Sequence, residues 1–113
     1  MIKIYHNNRC SKSRCGLEIL EQSGKSFEVI KYLDDLLTKE ELENIIVLLK
    51  IRPIDLVRKN EAIWKTNFKG KVLSDKEIID AMINNPKLIE RPIIINGKEA
   101  VIGRPPEHIL SIL

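Results

Sequence analysis

Ile2-Lys3-Ile4-Tyr5 and Phe27-Glu28-Val29-Ile30-Lys31-Tyr32 are short β-prone runs separated by one helix-length segment. That spacing belongs to a βαβ unit, in which a helix carries the chain between two parallel strands. The helix is predicted to begin just after Cys10 and to stop near Ser23-Gly24, where Gly24 suits the left-handed residue that closes many helices. Further along, the pattern turns helical. Thr38-Lys39-Glu40-Glu41 reads as a capping box, and Leu42, Ile45, Ile46 and Leu49 then share one helical face. Pro53 suits the first turn of a second short helix running to about Arg58. Ser74-Asp75-Lys76-Glu77 is another capping box, opening a helix with Ile78, Ile79 and Met82 towards the core, which Pro86 ends. In the last quarter Pro92-Ile93-Ile94-Ile95 and Glu99-Ala100-Val101-Ile102 flank Asn96-Gly97, a strong hairpin signal. Pro105-Pro106 stop the second strand and start a final helix with Ile109, Leu110 and Leu113 on its apolar side. The predicted fold is α/β: a four-stranded mixed sheet flanked by helices in a single domain, 1–113, with a helical insertion over about 34–90.

Composition narrows the function. A chain of 113 residues is one domain's worth, and 43% apolar residues suffice for a core. Nineteen basic against sixteen acidic residues leave a net charge of +3 spread along the length, with five aromatics in all. A nucleic-acid binder usually concentrates its basic charge and carries aromatics for stacking, so direct nucleic-acid binding is not expected. The longest apolar run, Ile45 to Leu49, is far short of the roughly 20 residues of a membrane span. Met1-Ile2-Lys3-Ile4-Tyr5 reaches polar residues at once, unlike a secretory leader. A soluble cytoplasmic domain is expected. Two cysteines, Cys10 and Cys15, are too few for a disulfide framework or a cysteine-built metal site. A reduced cytosolic cysteine placed for chemistry would act as a nucleophile or redox centre.

The richest segment is His6-Asn7-Asn8-Arg9-Cys10-Ser11-Lys12-Ser13-Arg14-Cys15. Cys10 falls between the carboxyl end of a strand and the amino end of a helix, where open α/β sheets place their ligands. A helix N-terminus offers unpaired N–H groups and about half a positive charge, which stabilise a thiolate and also bind an oxyanion. Thiols so placed titrate below roughly 8.5. Arg9, Lys12 and Arg14 add positive potential within a turn. The alternative is a small buried hydrophobe. The polar residues on either side of Cys10 oppose it.

His6-x3-Cys10-x3-Arg14, Leu56-Val57-Arg58-Lys59-Asn60, Glu90-Arg91-Pro92-Ile93 and Gly103-Arg104-Pro105-Pro106 occur in that order along nearly the whole chain. Together they resemble the glutaredoxin-coupled arsenate reductase family, and Cys-Ser-Lys-Ser-Arg with Ile-Gly-Arg-Pro-Pro resembles its reductase-like subgroup. The resemblance implies a thioredoxin-like fold with a helical insertion. It implies Cys10 as nucleophile and Arg58, Arg91 and Arg104 as the arginines that bind the oxyanion and stabilise the transition state. His6 would tune the thiolate, Ser13 and Arg14 would orient and support it, and Pro92 would be the cis-proline opposite the active cysteine. It further implies arsenate as substrate, glutathione as co-substrate, glutaredoxin as partner, and no metal or tightly bound cofactor. Guanidinium groups suit this chemistry because they never lose their charge and present paired donors to a tetrahedral oxyanion. Arg91 and Arg104 flank the predicted hairpin at the same end of its strands, so they can converge, whereas Arg58 lies among other charged residues. Arg9, Arg14 and Arg52 read as supporting or surface charges, and His108 as surface.

Two positions depart from the family pattern. Asn8 stands where a proline usually follows His-Asn, which loosens the placement of His6. Cys15 lies outside the family's catalytic set. Five residues along a helix rise about 7.5 Å and turn about 140°, past the roughly 7 Å Cα limit for a disulfide. Cys15 shares a helix face with Ile19 and is expected in the core. Low-molecular-weight phosphatases need Cys-x5-Arg, and Gly16 occupies that position here. Two alternatives stay open: a monothiol glutaredoxin-like thiol-transferase, which would use Cys10-x-x-Ser13, and an Spx-type redox-sensing transcription regulator.

Overall fold

The computed structural model describes residues 1–113. Four strands, β1 (Ile2–Tyr5), β2 (Phe27–Ile30), β3 (Ile93–Asn96) and β4 (Glu99–Ile102), form one mixed sheet in the order β2-β1-β3-β4. β1 pairs with β2 in parallel and with β3 antiparallel, and β3 pairs antiparallel with β4. The central position of β3 explains its composition: Ile93, Ile94 and Ile95 are all buried, as a strand covered on both faces requires. The edge strands β2 and β4 carry Glu28 and Glu99 and are only partly covered. Charged side chains on an edge discourage further strand addition.

The crossover from β1 to β2 is helix α1 (Ser11–Gln22). Its buried face is Ser13, Gly16 and Leu20, with Leu17 beside them. Gly24 follows with φ +73°, the left-handed residue its position predicted. Ile2, Ile4, Ile94, Leu20, Ile109 and Ile112 form the core between one face of the sheet, α1 and the C-terminal segment. That segment, Pro106–Ile112, is a 3₁₀ helix rather than the α-helix expected. With about three residues per turn, Ile109 and Ile112 share the buried side, and Leu110 is 61% exposed instead of facing the core. Asn96 Nδ2 donates to the Ile112 carbonyl oxygen at 2.6 Å and ties the hairpin to this segment.

The hairpin lies where Asn96-Gly97 indicated, one residue displaced. Asn96 pairs with Glu99, so Gly97 and Lys98 form the loop, and Gly97 takes φ +64°. Glycine at the first central position of a two-residue loop suits the twist of the flanking strands.

The chain divides into two compact units, Met1–Asp35 with Arg91–Leu113, and Leu36–Glu90. The first holds the sheet. The second contains α2 (Lys39–Leu49), α3 (Ala62–Asn67) and α4 (Asp75–Asn84), with 3₁₀ turns at Pro53–Leu56 and Pro86–Leu88. Thr38 and Ser74 open α2 and α4 with complete capping boxes: each hydroxyl accepts from the amide three residues on, and Glu41 and Glu77 accept in return from the caps. Leu42, Ile45 and Ile46 of α2 and Ile78, Ile79 and Met82 of α4 are buried, whereas Leu49 is half-exposed. The helix expected from Pro53 to about Arg58 is a single turn ending at Leu56, because Val57 leaves it to bridge Ile89. Helix α3, too short to announce itself by periodicity, buries Trp64 and stacks it on Phe68 with ring centroids 5.4 Å apart. The sheet order and its covering helices form a thioredoxin-like α/β arrangement. No helix is long and apolar enough to cross a membrane.

Candidate active site

Cys10 is the N-cap of α1, extended at φ −98° and ψ 123°, with its carbonyl accepting the first helical hydrogen bond from Arg14 N–H at 3.0 Å. The turn before it is built by Asn7. The Asn7 carbonyl oxygen accepts from Cys10 N–H, and Asn7 Oδ1 accepts from Arg9 N–H, both at 3.0 Å. This side-chain turn is a local device of asparagine, and the sequence reading missed it. Arg14 Nη1 donates to the Asn8 carbonyl oxygen at 3.0 Å, so the exposed Arg14 braces the loop from outside. His6 is buried at 3% exposure and shares a 2.6 Å hydrogen bond, Nδ1 to Ser13 Oγ. Ser13 Oγ also accepts from Asn7 N–H at 3.0 Å. Strand end, loop and first helical turn are thereby joined around one hydroxyl.

Two arginines reach the sulfur from the hairpin. The β3–β4 register ends at Ile93 opposite Ile102. One step beyond, Gly103 N–H donates to the Pro92 carbonyl oxygen at 2.8 Å. A further step sets Arg91 opposite Arg104. Arg104 Nε donates to the Arg91 carbonyl oxygen at 2.8 Å, and its Nη2 donates to Cys10 Sγ at 3.3 Å. The Arg91 side chain donates to the same sulfur. Both Arg91–Pro92 and Arg104–Pro105 are cis peptides. The Pro92 ring lies against α1 and the exit of β4 so closely that a Cβ on Gly16 or on Gly103 would come within 2.9 Å of Pro92 Cγ. Both glycines are therefore needed for lack of a side chain.

The electrostatics favour a thiolate. Partial burial alone would raise the Cys10 thiol, but it is outweighed by the Ser13 amide, the hydrogen bond and charge of Arg91, and the Lys12 amide. The net result is a thiol that titrates below its ordinary value. His6 is also lowered from 6.5, first by burial and then by the positive charge of Lys31, against the opposing hydrogen bond to Ser13. An arrangement of this kind supplies a nucleophile and, beside it, fixed donors for an oxyanion.

Arg58 belongs to the other unit. Its Nη1 donates to Glu90 Oε1 at 3.4 Å, and its Nε lies 3.5 Å from Glu61 Oε1. It is partly buried rather than fully solvated. Cys15 corrects an expectation: it is exposed, not in the core. The buried stripe of α1 runs through Ser13, Gly16 and Leu20, and at about 100° per residue Cys15 points to the opposite side, while Ile19 is only half-buried. Arg9, Arg52 and His108 are exposed.

The match to known proteins covers nearly the full length. Residues 5–112 match the model of the ArsC family. The chain is 43% identical over 116 residues to the uncharacterised protein YfgD of Escherichia coli K12, covering 99% of this chain and 96% of that one. It is 41% identical over 112 residues to an arsenate reductase of Haemophilus influenzae, covering 97% of each. The solved structure of an arsenate reductase from Vibrio cholerae superposes with a TM-score of 0.93 at 42% identity, covering 99% of this chain and 97% of that one. With the family model matched almost end to end, the chain belongs to the ArsC family.

Proposed function

We propose that this chain is an arsenate reductase that draws its electrons from glutathione and glutaredoxin in the cytoplasm. The observation that carries this reading is the contact of the Arg91 and Arg104 guanidiniums with the Cys10 sulfur. A thiolate approaching arsenate meets like charge, and two permanent cations beside the sulfur offset that repulsion. The names of the Haemophilus influenzae and Vibrio cholerae relatives supply the substrate. Arg58 joins as a third cation on the strength of its sequence motif.

In this reading Cys10 attacks As(V) and an arsenate oxygen leaves as water, giving a Cys10–S–As bond. Glutathione displaces a second oxygen and forms As–S–glutathione. A glutaredoxin thiol then attacks the glutathione sulfur; the disulfide so formed leaves the As–S electron pair on arsenic, now As(III). Water hydrolyses the remaining Cys10–S–As bond, releasing arsenite and the thiol. Arginine donors contribute in the first step, where negative charge accumulates on departing oxygen.

The test is arsenite formation with glutathione and glutaredoxin supplied. Arg91→Ala and Arg104→Ala are each expected to lower kcat/KM by about 100-fold or more. Reduction of disulfide substrates without glutaredoxin, unaffected by those substitutions, would instead establish a thiol-transferase. Binding to RNA polymerase with no turnover would establish a regulator.

A further inference from the structure

Cys10 is held in place by a turn whose first residue is Asn7. The Asn7 carbonyl oxygen accepts from Cys10 N–H at 3.0 Å, so Asn7-Asn8-Arg9-Cys10 is a β-turn closed on the residue that carries the sulfur. Asn7 Oδ1 accepts from Arg9 N–H at 3.0 Å inside that turn. Asn7 N–H donates to Ser13 Oγ at 3.0 Å, and both Asn7 and Ser13 are buried. Asn7 thus engages the amides of Arg9 and Cys10, while the amides of Lys12 and Ser13 are the ones that serve the sulfur.

The centre of the turn has little else to hold it. Asn8 and Arg9 are both exposed, and neither is a proline or a glycine. The Arg14 bond to the Asn8 carbonyl oxygen is exposed, where water competes for both partners. We infer that Asn7 is a positioning residue for the reaction of Cys10, its side-chain amide holding the turn that sets the sulfur at the start of α1 and within reach of Arg104. Its bearing on turnover rests on the arsenate reductase reading; its bearing on the thiolate does not. With the Oδ1 bond gone, Cys10 spends part of its time away from the amides and guanidiniums that favour its anion, and the thiol titrates higher. The charged groups around it are Arg91 and Arg104 from the β3–β4 end and Arg9, Lys12 and Arg14 on the loop and α1, with His6 behind Ser13. Substitution of Asn7 changes none of them.

The test is the pH dependence of Cys10 alkylation by iodoacetamide, in a Cys15→Ser background because Cys15 is exposed. Asn7→Ala should raise the midpoint and lower kcat/KM for arsenate several-fold. Asn7→Ser, whose hydroxyl forms the same kind of turn more weakly, should fall between Asn7→Ala and the parent. Proline at position 8 supplies the discriminating result. Asn8 is the second residue of the turn, has no positive φ, and its N–H takes no part in the bonds of the turn. Proline there sacrifices none of those bonds and fixes φ at about −65°, as the second position of common turns requires. Asn8→Pro should bring the midpoint of Asn7→Ala back towards the parent value, and should move the parent itself less. An unmoved midpoint in Asn7→Ala would overturn the inference and leave Asn7 as a support of stability alone. A raised midpoint that Asn8→Pro does not lower would overturn it too, since the loss would not lie in the turn. A restored midpoint in a protein whose parent forms no arsenite would keep the role of Asn7 and remove the reductase reading.

Discussion

The three longest helices of the chain begin in two different ways. Helices α2 and α4 start with Thr38 and Ser74, whose hydroxyls cap the third amide, and each has two acidic residues in its first turn. Helix α1 starts with Cys10, has no side-chain capping hydrogen bond of full geometry, and has no acidic residue in its first turn. Nothing at that end competes for the positive end of the helix dipole. The Ser13 and Lys12 amides are left to stabilise a sulfur anion. The difference teaches that the two capped helices are arranged for stability, whereas α1 forgoes a good cap so that its first turn can serve a thiolate.

The largest expected effect comes from giving α1 an ordinary cap. Cys10→Asp should abolish arsenite formation while raising stability to thermal or urea unfolding by about 1 kcal/mol, through the amides that now serve sulfur. An active variant, or one that unfolds more easily than the parent, would break the contrast. Next is the removal of a cation. Arg91→Ala should shift the pH midpoint of Cys10 alkylation upward and slow alkylation at neutral pH several-fold, because the hydrogen bond and charge that favour the thiolate are lost. An unmoved midpoint would place the stabilisation of sulfur elsewhere. In the other helices Thr38→Ala and Ser74→Ala should each cost about 1 kcal/mol in unfolding experiments and leave Cys10 alkylation within about twofold. The smallest effect is a slope. His6 is lowered in the folded protein from 6.5 by burial and by Lys31. Above 6.5 it is neutral whether folded or unfolded, and its contribution is fully present. As pH falls below 6.5 the unfolded chain takes the proton first, so stability declines. His6→Gln should flatten that part of the stability-against-pH curve, and an unchanged slope would assign it to other groups.

Much of this arrangement was legible because it follows from local rules. Thr38-x-x-Glu41 and Ser74-x-x-Glu77 specify a cap by chemistry that needs no tertiary contact. Asn96-Gly97 located the hairpin, and once two strands are antiparallel, residues just outside their closed end must face one another, as Arg91 and Arg104 do. What escaped depended on packing. Pro106–Ile112 winds as 3₁₀, with Ile109 and Ile112 one tight turn apart on the core side and Leu110 left exposed. Cys15 was misplaced because pairing it with Ile19 ignored the buried stripe of Ser13, Gly16 and Leu20, of which Gly16 lies where Pro92 comes close. Asn7 carried a readable turn signal that was overshadowed by the charged residues after it. Glu90 gave none, since its meeting with Arg58 depends on a bridge between distant segments.

The ring of Pro92 works as a mechanical datum. It follows Arg91 in the chain, touches the residue before Arg104, and abuts the helix that presents Cys10. Three reactive groups are thus gauged from one rigid five-membered ring, with clearances smaller than a methyl group. An engineer who randomised positions 16 and 103 while selecting for turnover would recover little besides glycine, even though neither position touches the chemistry.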